Sequence, residues 1–196
     1  DAYEATTDAF DLLDQAESAL FKISDTNIKK SVNSMEALMR KALEELAARK
    51  ENSATLTGVP SGFTALDRVT AGWQKSDLVI IAARPGMGKT AFVVSIARNA
   101  AVDFGKAVAL FSLEMSSVQL VTRLISSESE IASEKIRKGD LQDSEWEILR
   151  ARTEKLSEAP IFIDDTPSLS IFDFKAKARR LKSQHNIELI IVDYLQ

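Results

Sequence analysis

Apolar residues in the first 57 positions recur at helical spacing, and this part of the chain contains neither glycine nor proline. Successive steps of four and three residues place one group of them on a single face of a helix. A polar stretch at 24–27 then interrupts the pattern. The pattern therefore predicts a first amphipathic helix along the group Ala9, Leu13, Ala16, Leu20 and Ile23.

A second apolar stripe follows and predicts a second amphipathic helix, over residues 33–50. Arg49 and Lys50 lie at its end, where positive charge interacts favourably with the helix dipole. The polar residues 51–57 predict a linker. A stripe of this kind either packs on its own domain or docks on another subunit, and the pattern does not distinguish the two. The stripe consists of Met35, Leu38, Met39, Ala42, Leu43 and Leu46.

From Gly58 onward, short apolar runs alternate with helical patterns. Strands that alternate with helices predict βαβ units and a parallel sheet. The expected fold class is therefore α/β, a parallel sheet with helices on both faces, preceded by an all-helical segment. The expected strands are 77–82, 107–112, 160–164 and 187–193, and the expected helices are 89–103, 117–129, 143–158 and 170–184.

Composition excludes several classes of protein. Apolar residues make up 45% of the 196 residues and charged residues 28%, which excludes a wholly disordered chain. The absence of cysteine excludes disulfide scaffolds and cysteine-ligated metals, and a single histidine, His185, excludes a multi-histidine metal site. No apolar run is long enough to span a membrane and no signal-peptide pattern is present, so we expect a cytoplasmic protein without membrane contact.

Negative charge is concentrated at the start of the chain. Residues 1–57 contain 7 Lys and Arg against 11 Asp and Glu, and this difference equals the net charge of −4 of the whole chain. Overall charge therefore does not indicate nucleic-acid binding, although a local basic surface remains compatible with it. One candidate surface is a basic helix, which we interpret first as a solvated face and second as an intersubunit or DNA contact. Its cations are Lys175, Lys177, Arg179, Arg180 and Lys182.

A glycine-rich loop connects the predicted strand at 77–82 to a predicted helix. The sequence ARPGMGKT fits the phosphate-loop pattern G-x-x-x-x-G-K-[ST], except that Ala83 stands at the first glycine. Backbone N–H groups of such a loop surround phosphates, and glycine lets the backbone approach them closely. Lys89 is predicted to reach the β- and γ-phosphates of ATP, and the Thr90 hydroxyl to bind Mg²⁺. The expected nucleotide-binding residues here are Ala83, Arg84, Pro85, Gly86, Met87, Gly88, Lys89, Thr90 and Ala91.

An aspartate ends the last predicted strand, after four apolar residues. A buried parallel strand delivers this residue, Asp193, to the carboxyl edge of the sheet, where bound phosphates lie. The spacing of about 100 residues after the phosphate loop is typical of a Walker B acid. Asp193 is therefore predicted to bind the nucleotide and Mg²⁺, the latter directly or through water.

A carboxylate that activates water does not follow Asp193 directly, because Tyr194 stands there. Glu114 ends another predicted strand run, and that strand points its carboxyl end toward the same edge. A carboxylate there can orient or deprotonate water. From position alone, a catalytic Glu114 and a structural strand-end glutamate are equally compatible with the pattern. Asp164 and Asp165 also follow a strand, but we interpret them as a polar turn that caps the next helix.

Three motifs together resemble one family. The segments GVPSGFTALDRVTAGWQKSDLVIIAARPGMGKTAF, FSLEMS and IIVDYLQ, in this order and spacing, are similar to those of the DnaB-type replicative DNA helicases, which are hexameric RecA-like motors. The resemblance covers 58–196 closely. It implies that 1–30 is the end of a helical N-terminal domain, 31–57 a linker helix and linker, and 58–196 the first part of a RecA-like ATPase domain.

The resemblance implies an activity and a set of partners. It implies a 5′–3′ helicase that unwinds DNA by hydrolysing ATP between subunits, with Lys89 and Glu114 in catalysis, the latter as base. It implies a homo-hexamer in which the linker helix 33–50 docks on the neighbouring subunit. It further implies ATP and Mg²⁺ as bound groups, single-stranded DNA as a ligand, and a primase and a helicase loader as partners.

The resemblance also implies that the family's motor continues beyond Gln196. The later strands, the DNA-contacting loops and the arginine finger would lie there, so the 196 residues alone are expected to be inactive in hydrolysis and unwinding. Two other functions remain compatible with the residues. One is a different RecA-like ATPase, of a recombination or clock type, and the other is a nucleotide-binding assembly module without turnover.

Overall fold

The computed structural model of the protein describes residues 34–51 and 56–194. The chain divides into two units, Asp1–Ser53 and Ala54–Gln196. In the first unit, helix α1 spans Met35–Glu51, so it begins two residues later and ends one residue later than the predicted range of 33–50. The first predicted helix, along Ala9 to Ile23, lies outside the described residues.

The apolar stripe of α1 consists of exposed side chains. The exposed fraction is 47% for Leu38 and 59% for Leu43, and the other members of the stripe are exposed as well. Burying one large apolar side chain is worth roughly 1.5–3 kcal/mol, so several such contributions become available if another surface covers the stripe.

No described helix is both long enough and apolar enough to cross a bilayer.

The second unit contains six helices and three strands within its described residues. A π-helical turn at Asn99–Asp103 extends the second of these helices, so the predicted helix at 89–103 is helical throughout but widens in its last turn. The helices are α2 (Thr64–Thr70), α3 (Lys89–Arg98), α4 (Ser117–Ser129), α5 (Ser133–Lys138), α6 (Asp143–Glu158) and α7 (Ile171–His185), and the strands are β1 (Val108–Ser112), β2 (Ile161–Asp164) and β3 (Leu189–Asp193).

The three strands form one parallel sheet in the order β2-β1-β3. The register pairs Phe111 of β1 with Asp164 of β2 and Ser112 of β1 with Asp193 of β3. The carboxyl ends of all three strands therefore meet at one edge. This arrangement confirms the α/β class and the parallel sheet that the alternating pattern predicts.

Helices cover both faces of this sheet. In the central strand β1, Val108 and Leu110 pack in a core with apolar residues of α3, α4 and α6. The alternate residues Ala109 and Phe111 pack in a second core with Phe174 of α7. Because successive side chains of a strand point to opposite faces, all of β1 is buried. The predicted helices on both faces are thus confirmed.

The predicted strand at 77–82 is wrong for this structure. Its residues are not in a strand, and Leu78 and Ile80 are 83% and 79% exposed. The segment lies across a cavity of about 550 Å³ from β3, whereas paired strands approach to about 4.8 Å. Without a neighbour at pairing distance, its backbone makes no ladder of hydrogen bonds, so apolar composition alone does not produce a strand.

Arg98 connects helix α3, which follows the glycine-rich loop, to helix α4 through an ion pair. Arg98, the last residue of α3, donates from Nε to one carboxylate oxygen of Glu128 in α4 (2.7 Å) and from a terminal nitrogen to the other (2.9 Å). The same guanidinium pairs with Asp103 in the π-helical turn. The bond with Glu128 is the largest cause that raises the pKa of Arg98 above its ordinary value. The far ends of α3 and α4 are therefore fixed together.

Candidate functional site

The glycine-rich loop before α3 contains a hydrogen-bonded β-turn. The N–H of Met87 donates to the carbonyl of Arg84 (3.2 Å), which closes a four-residue turn. Pro85 and Gly86 occupy its centre, and Gly86 has a φ of 77°. Proline followed by a residue with positive φ is the combination that a type II turn favours, so the residue types account for the turn locally.

Gly88 joins this turn to α3. It precedes the helix with a φ of 87°, a left-handed conformation that residues with a Cβ rarely adopt. A Cβ added at Gly86 or at Gly88 meets nothing within 4 Å, so both glycines border open space. The first N–H groups of α3 have no partner inside the helix and point toward this side. The loop and the helix N-terminus therefore offer several donors to an anion.

Asp193 brings the side chains of this site together. It is 4% exposed, at the end of β3, and both of its carboxylate oxygens are engaged. Lys89 Nζ lies 3.0 Å from Oδ1, and the Thr90 hydroxyl donates to Oδ2 over 2.8 Å. Residues 103 apart in sequence thus meet, because β3 ends beside the start of α3.

Tyr194 is a member of this cluster that the sequence reasoning did not assign. Lys89 Nζ lies 4.4 Å from the centroid of its ring, which is the geometry of a cation–π contact. The aromatic residue directly after the strand-end acid is the signal that could have indicated it. The ring and the Asp193 carboxylate together hold the ammonium group at the carboxyl edge of the sheet.

Glu114 lies in the loop that follows β1. Ser112 Oγ donates to the carbonyl of Met115 (2.7 Å) and accepts from its N–H (3.1 Å), which tightens the loop around Glu114. The preceding residue, Leu113, donates its N–H to the carbonyl of Asp193 (2.8 Å). The backbone at Glu114 therefore lies close to that of Asp193. Its exposed side chain has no hydrogen bond or ion pair with another residue of the described ranges.

The loop after β2 differs from its prediction. Asp165 accepts a hydrogen bond from the N–H of Ser117, at the start of α4 (2.7 Å), whereas the next helix along the chain, α7, is capped by Ser170. The expectation that Asp164 and Asp165 cap the next helix is therefore wrong for both residues, since Asp164 accepts from the N–H of Thr166 and from Lys177 instead. The reason is that β2 lies beside β1, so its carboxyl end meets the helix that follows β1.

The pKa values of Asp164, at the end of β2, and of Asp165, in the loop after it, are both lowered. The backbone hydrogen bond from Ser117 is the main cause that lowers the pKa of Asp165 below its ordinary value. For Asp164, partial burial alone would raise the pKa. Bonds from Lys177 and Thr166 outweigh that burial, so the pKa of Asp164 is also lowered. Asp164 thus bonds to Lys177 of α7, and Asp165 bonds to Ser117 of α4, so both carboxylates connect the end of β2 to a neighbouring helix.

The chemistry of the cluster fits a nucleoside triphosphate with Mg²⁺. The open glycine loop and the N-terminus of α3 provide N–H donors, and Lys89 provides a positive charge. A metal at this point would take oxygen ligands from Asp193 and Thr90. Within the described ranges no three carboxylate or histidine side chains converge to form a metal cage. Mg²⁺ is commonly held by one or two carboxylates together with phosphate oxygens and waters, which suits this set.

Comparison with known proteins places most of the chain in one family. The model of the DnaB-like helicase C terminal domain matches residues 58–196. The replicative DNA helicase DnaB of Rhodothermus marinus is 48% identical, over 100% of this chain and 21% of that protein. The replicative DNA helicase DnaB of Geobacillus stearothermophilus is 39% identical, over 100% of this chain and 43% of that protein. The chain thus spans less than half the length of these relatives.

Solved structures agree with this result. One of them, an ATPase domain, superposes with a TM-score of 0.76 at 34% identity, over 84% of this chain and 58% of that chain. A DnaB-like replicative helicase, described with its interactions with primase, superposes with a TM-score of 0.70 at 31% identity, over 91% of this chain and 43% of that chain. The likeness in structure and the likeness in sequence therefore point to the same family.

Proposed function

Because this chain belongs to the DnaB-like helicase C-terminal domain family, we propose that it is part of a replicative 5′–3′ DNA helicase that unwinds duplex DNA by hydrolysing ATP. One observation carries the proposal. Lys89, from the glycine-rich loop and helix, and Asp193, from the end of a parallel strand, meet within 3.0 Å. A phosphate-binding group and a metal-binding group are thereby at one edge of the sheet.

In the proposed site, residues 83–91 surround the phosphates of ATP. The N–H groups of the loop and of the first turn of α3 donate to phosphate oxygens, and Lys89 pairs with the β- and γ-phosphates. Lys89 leaves the Asp193 carboxylate for the phosphates, which frees that carboxylate for the metal. Thr90 and Asp193 would hold Mg²⁺, directly or through water, and the ion would neutralise charge on the phosphates.

We propose Glu114 as the group that orients and deprotonates the attacking water. The N–H of Leu113 donates to the carbonyl of Asp193, so the backbone beside Glu114 lies at the same edge of the sheet as Asp193, which supports this role. Glu114 has no hydrogen-bonding or ionic partner in the described part of the chain, so its carboxylate is available to accept a proton from water.

The proposed assembly is a ring hexamer with hydrolysis between subunits. In it, 1–30 ends a helical N-terminal domain, 31–57 forms the linker helix and linker, and 58–196 begins the motor domain. The stripe of α1 supports docking on a neighbouring copy, because its apolar side chains are exposed in the described part of the chain. Single-stranded DNA, a primase and a helicase loader are the proposed partners. One solved relative is described with primase.

Replacing Leu38 and Leu43 together with Ser will weaken self-association of the intact protein. Both side chains lie on the exposed stripe of α1, and each buried leucine contributes roughly 1.5–3 kcal/mol to an interface. The dissociation constant is therefore expected to rise by at least about 100-fold. Analytical ultracentrifugation across a concentration series measures it.

The matched control replaces Arg40 and Glu44 with Ser, on another face of the same helix. This control carries the same loss of helix propensity, and its oligomeric state is expected to stay unchanged. An unchanged oligomer in the Leu38→Ser/Leu43→Ser variant would place the stripe inside its own subunit.

Strand separation tests the proposed function directly. The intact protein is expected to separate a forked DNA duplex carrying a free 5′ tail only when both ATP and Mg²⁺ are present, as measured by a fluorescence-quenching pair on the two strands. Nucleotide binding without hydrolysis or strand separation would instead support an assembly module. Hydrolysis without strand separation would support a different RecA-like ATPase.

A further inference from the structure

The outer face of α7 carries a row of cations with an aromatic residue at one end. Phe172 is 79% exposed in the first turn of the helix. Lys175, Arg179 and Lys182 follow at intervals of three, four and three residues and are exposed as well. Residues at these intervals share one side of a helix, so the four side chains form a single ridge.

The residues of this ridge do not contribute to the packing of α7 against the sheet. Phe174 and Leu181 point to the opposite side and pack in the core beneath the sheet. Lys177, also on the inner side, pairs with Asp164 (2.6 Å). The helix has five Lys and Arg and one Asp, and that Asp173 bonds to the N-cap Ser170. The ridge is therefore strongly positive in a chain whose net charge is −4.

The cations of the ridge lack counterions. Across residues 34–51 and 56–194, Lys177 is the only cation of α7 in an ion pair. Lys182 bonds to the amide of Asn186 at the helix end, and neither Lys175 nor Arg179 has a hydrogen-bonded side chain in these ranges. Uncompensated cations in a row attract a polyanion, and an exposed aromatic ring beside them offers a stacking surface to a base.

We propose that the outer ridge of α7, formed by Phe172, Lys175, Arg179 and Lys182, binds single-stranded nucleic acid. The cations contact successive phosphates and Phe172 stacks on one base. An acidic protein segment is the rival occupant, but it would satisfy the cations without explaining the aromatic ring. The proposal rests on the proposed function, which supplies a single strand to the protein.

The ridge is separate from the candidate ATP site. Helix α7 follows β2, which is on the other side of β1 from β3 and Asp193. The proposed contact is therefore additional to any that the motor makes at its ATP edge. It would hold a strand on the outside of the fold, on the face opposite α3 and α4.

Binding of a fluorescein-labelled 20-nucleotide dT strand to the intact protein tests this proposal. Fluorescence anisotropy without nucleotide measures the affinity across a series of salt concentrations. Replacing Lys175, Arg179 and Lys182 together with Ala should lower the slope of log affinity against log salt by about 2, because each phosphate contact on a single strand contributes about 0.7. Phe172→Ala should weaken binding about 5- to 100-fold and leave the slope unchanged.

The control variant removes three exposed cations outside α7: Arg123, Arg150 and Lys155 are replaced together with Ala. An equal loss of slope in this control would assign the effect to net charge and overturn the proposal. Photocrosslinking with a strand containing 4-thiothymidine should label the peptide that contains Phe172, and a crosslink map without any residue of 171–183 would also overturn it.

Two further outcomes separate the rival occupant and the underlying function. Displacement of the strand by poly-glutamate at equal charge concentration, with no effect of Phe172→Ala, would assign the ridge to an acidic protein partner. ATP hydrolysis measured without DNA is expected to be the same in the ridge variants and in the unaltered protein. Failure of the ATPase itself would count against the proposed function but not against the ridge, because strand binding is measured without nucleotide.

Discussion

Replacing Lys89 with Ala will reduce ATP hydrolysis by the intact protein to background. The ammonium group belongs to the first residue of α3, directly after the glycine loop, and it is fixed by Asp193 and the ring of Tyr194. Removing one preorganised donor to developing charge commonly costs about 10²–10³ in rate, and this donor also binds the ground state. Phosphate release at saturating ATP and Mg²⁺ measures the loss.

This substitution also has a structural effect that needs its own measurement. Asp193 is buried, and losing Lys89 leaves its carboxylate with the Thr90 hydroxyl alone. Removal of one partner of a buried pair destabilises a fold. Lys89→Ala/Asp193→Asn removes the uncompensated charge and should recover thermal stability but not hydrolysis. Lys155→Ala, at an exposed site in α6, serves as the control, and hydrolysis at the normal rate in Lys89→Ala would exclude Lys89 from the mechanism.

Replacing Glu114 with Gln will lower the turnover number by about 10²–10⁴ and leave ATP binding nearly intact. A positioned general base contributes that much to a rate, and an amide of the same shape does not accept the proton of water. Binding should survive because Glu114 makes no bond to Lys89, Thr90 or Asp193 in the described structure. Single-turnover hydrolysis and binding of a fluorescent ATP analogue separate the two effects.

Glu147→Gln is the matched control for this variant, since Glu147 is exposed on α6 and the substitution removes the same charge. It is expected to hydrolyse ATP normally. If Glu114→Gln turned over as fast as this control, the base would have to be another group. A Glu114→Gln variant that failed to bind the analogue would instead assign Glu114 to nucleotide binding.

The three strands of the sheet could be predicted because their side chains are apolar on both faces. In β1 all five residues are buried, which is the environment that a continuous apolar run requires. The run at 77–82 has the same composition but no paired neighbour. Whether an apolar run becomes a strand depends on what lies beside it, and that information is not local. The helices α2 and α5, with 7 and 6 residues, are too short to give a clear period.

In the candidate site, too, some features follow from the local sequence and others depend on the tertiary structure. The motif places Lys89 and Thr90 at the start of a helix, and the apolar run before Asp193 places that residue at a strand end. Their direct contact depends on the position of β3 relative to α3, which no spacing along the chain specifies. The bond from Ser117 to Asp165 likewise depends on the order of strands in the sheet. Residue types therefore indicate which side chains are candidates for the site, whereas the contacts between them depend on the tertiary arrangement.

The ion pair between Arg98 and Glu128 fixes one end of α3, so a change in the tilt of this helix moves its other end, where Lys89 lies. Helix α3 has 10 residues, or about 15 Å, with Lys89 at one end and Arg98 at the other. A tilt of about 5° around the tied end displaces Lys89 by roughly 1.3 Å, and errors of about 1 Å in placing reacting groups can cost about 10² in rate. The pair of Arg98 and Glu128 therefore constrains the angle between α3 and α4 at the end of α3 opposite Lys89, and a small angular error there becomes a larger displacement at the candidate ATP site.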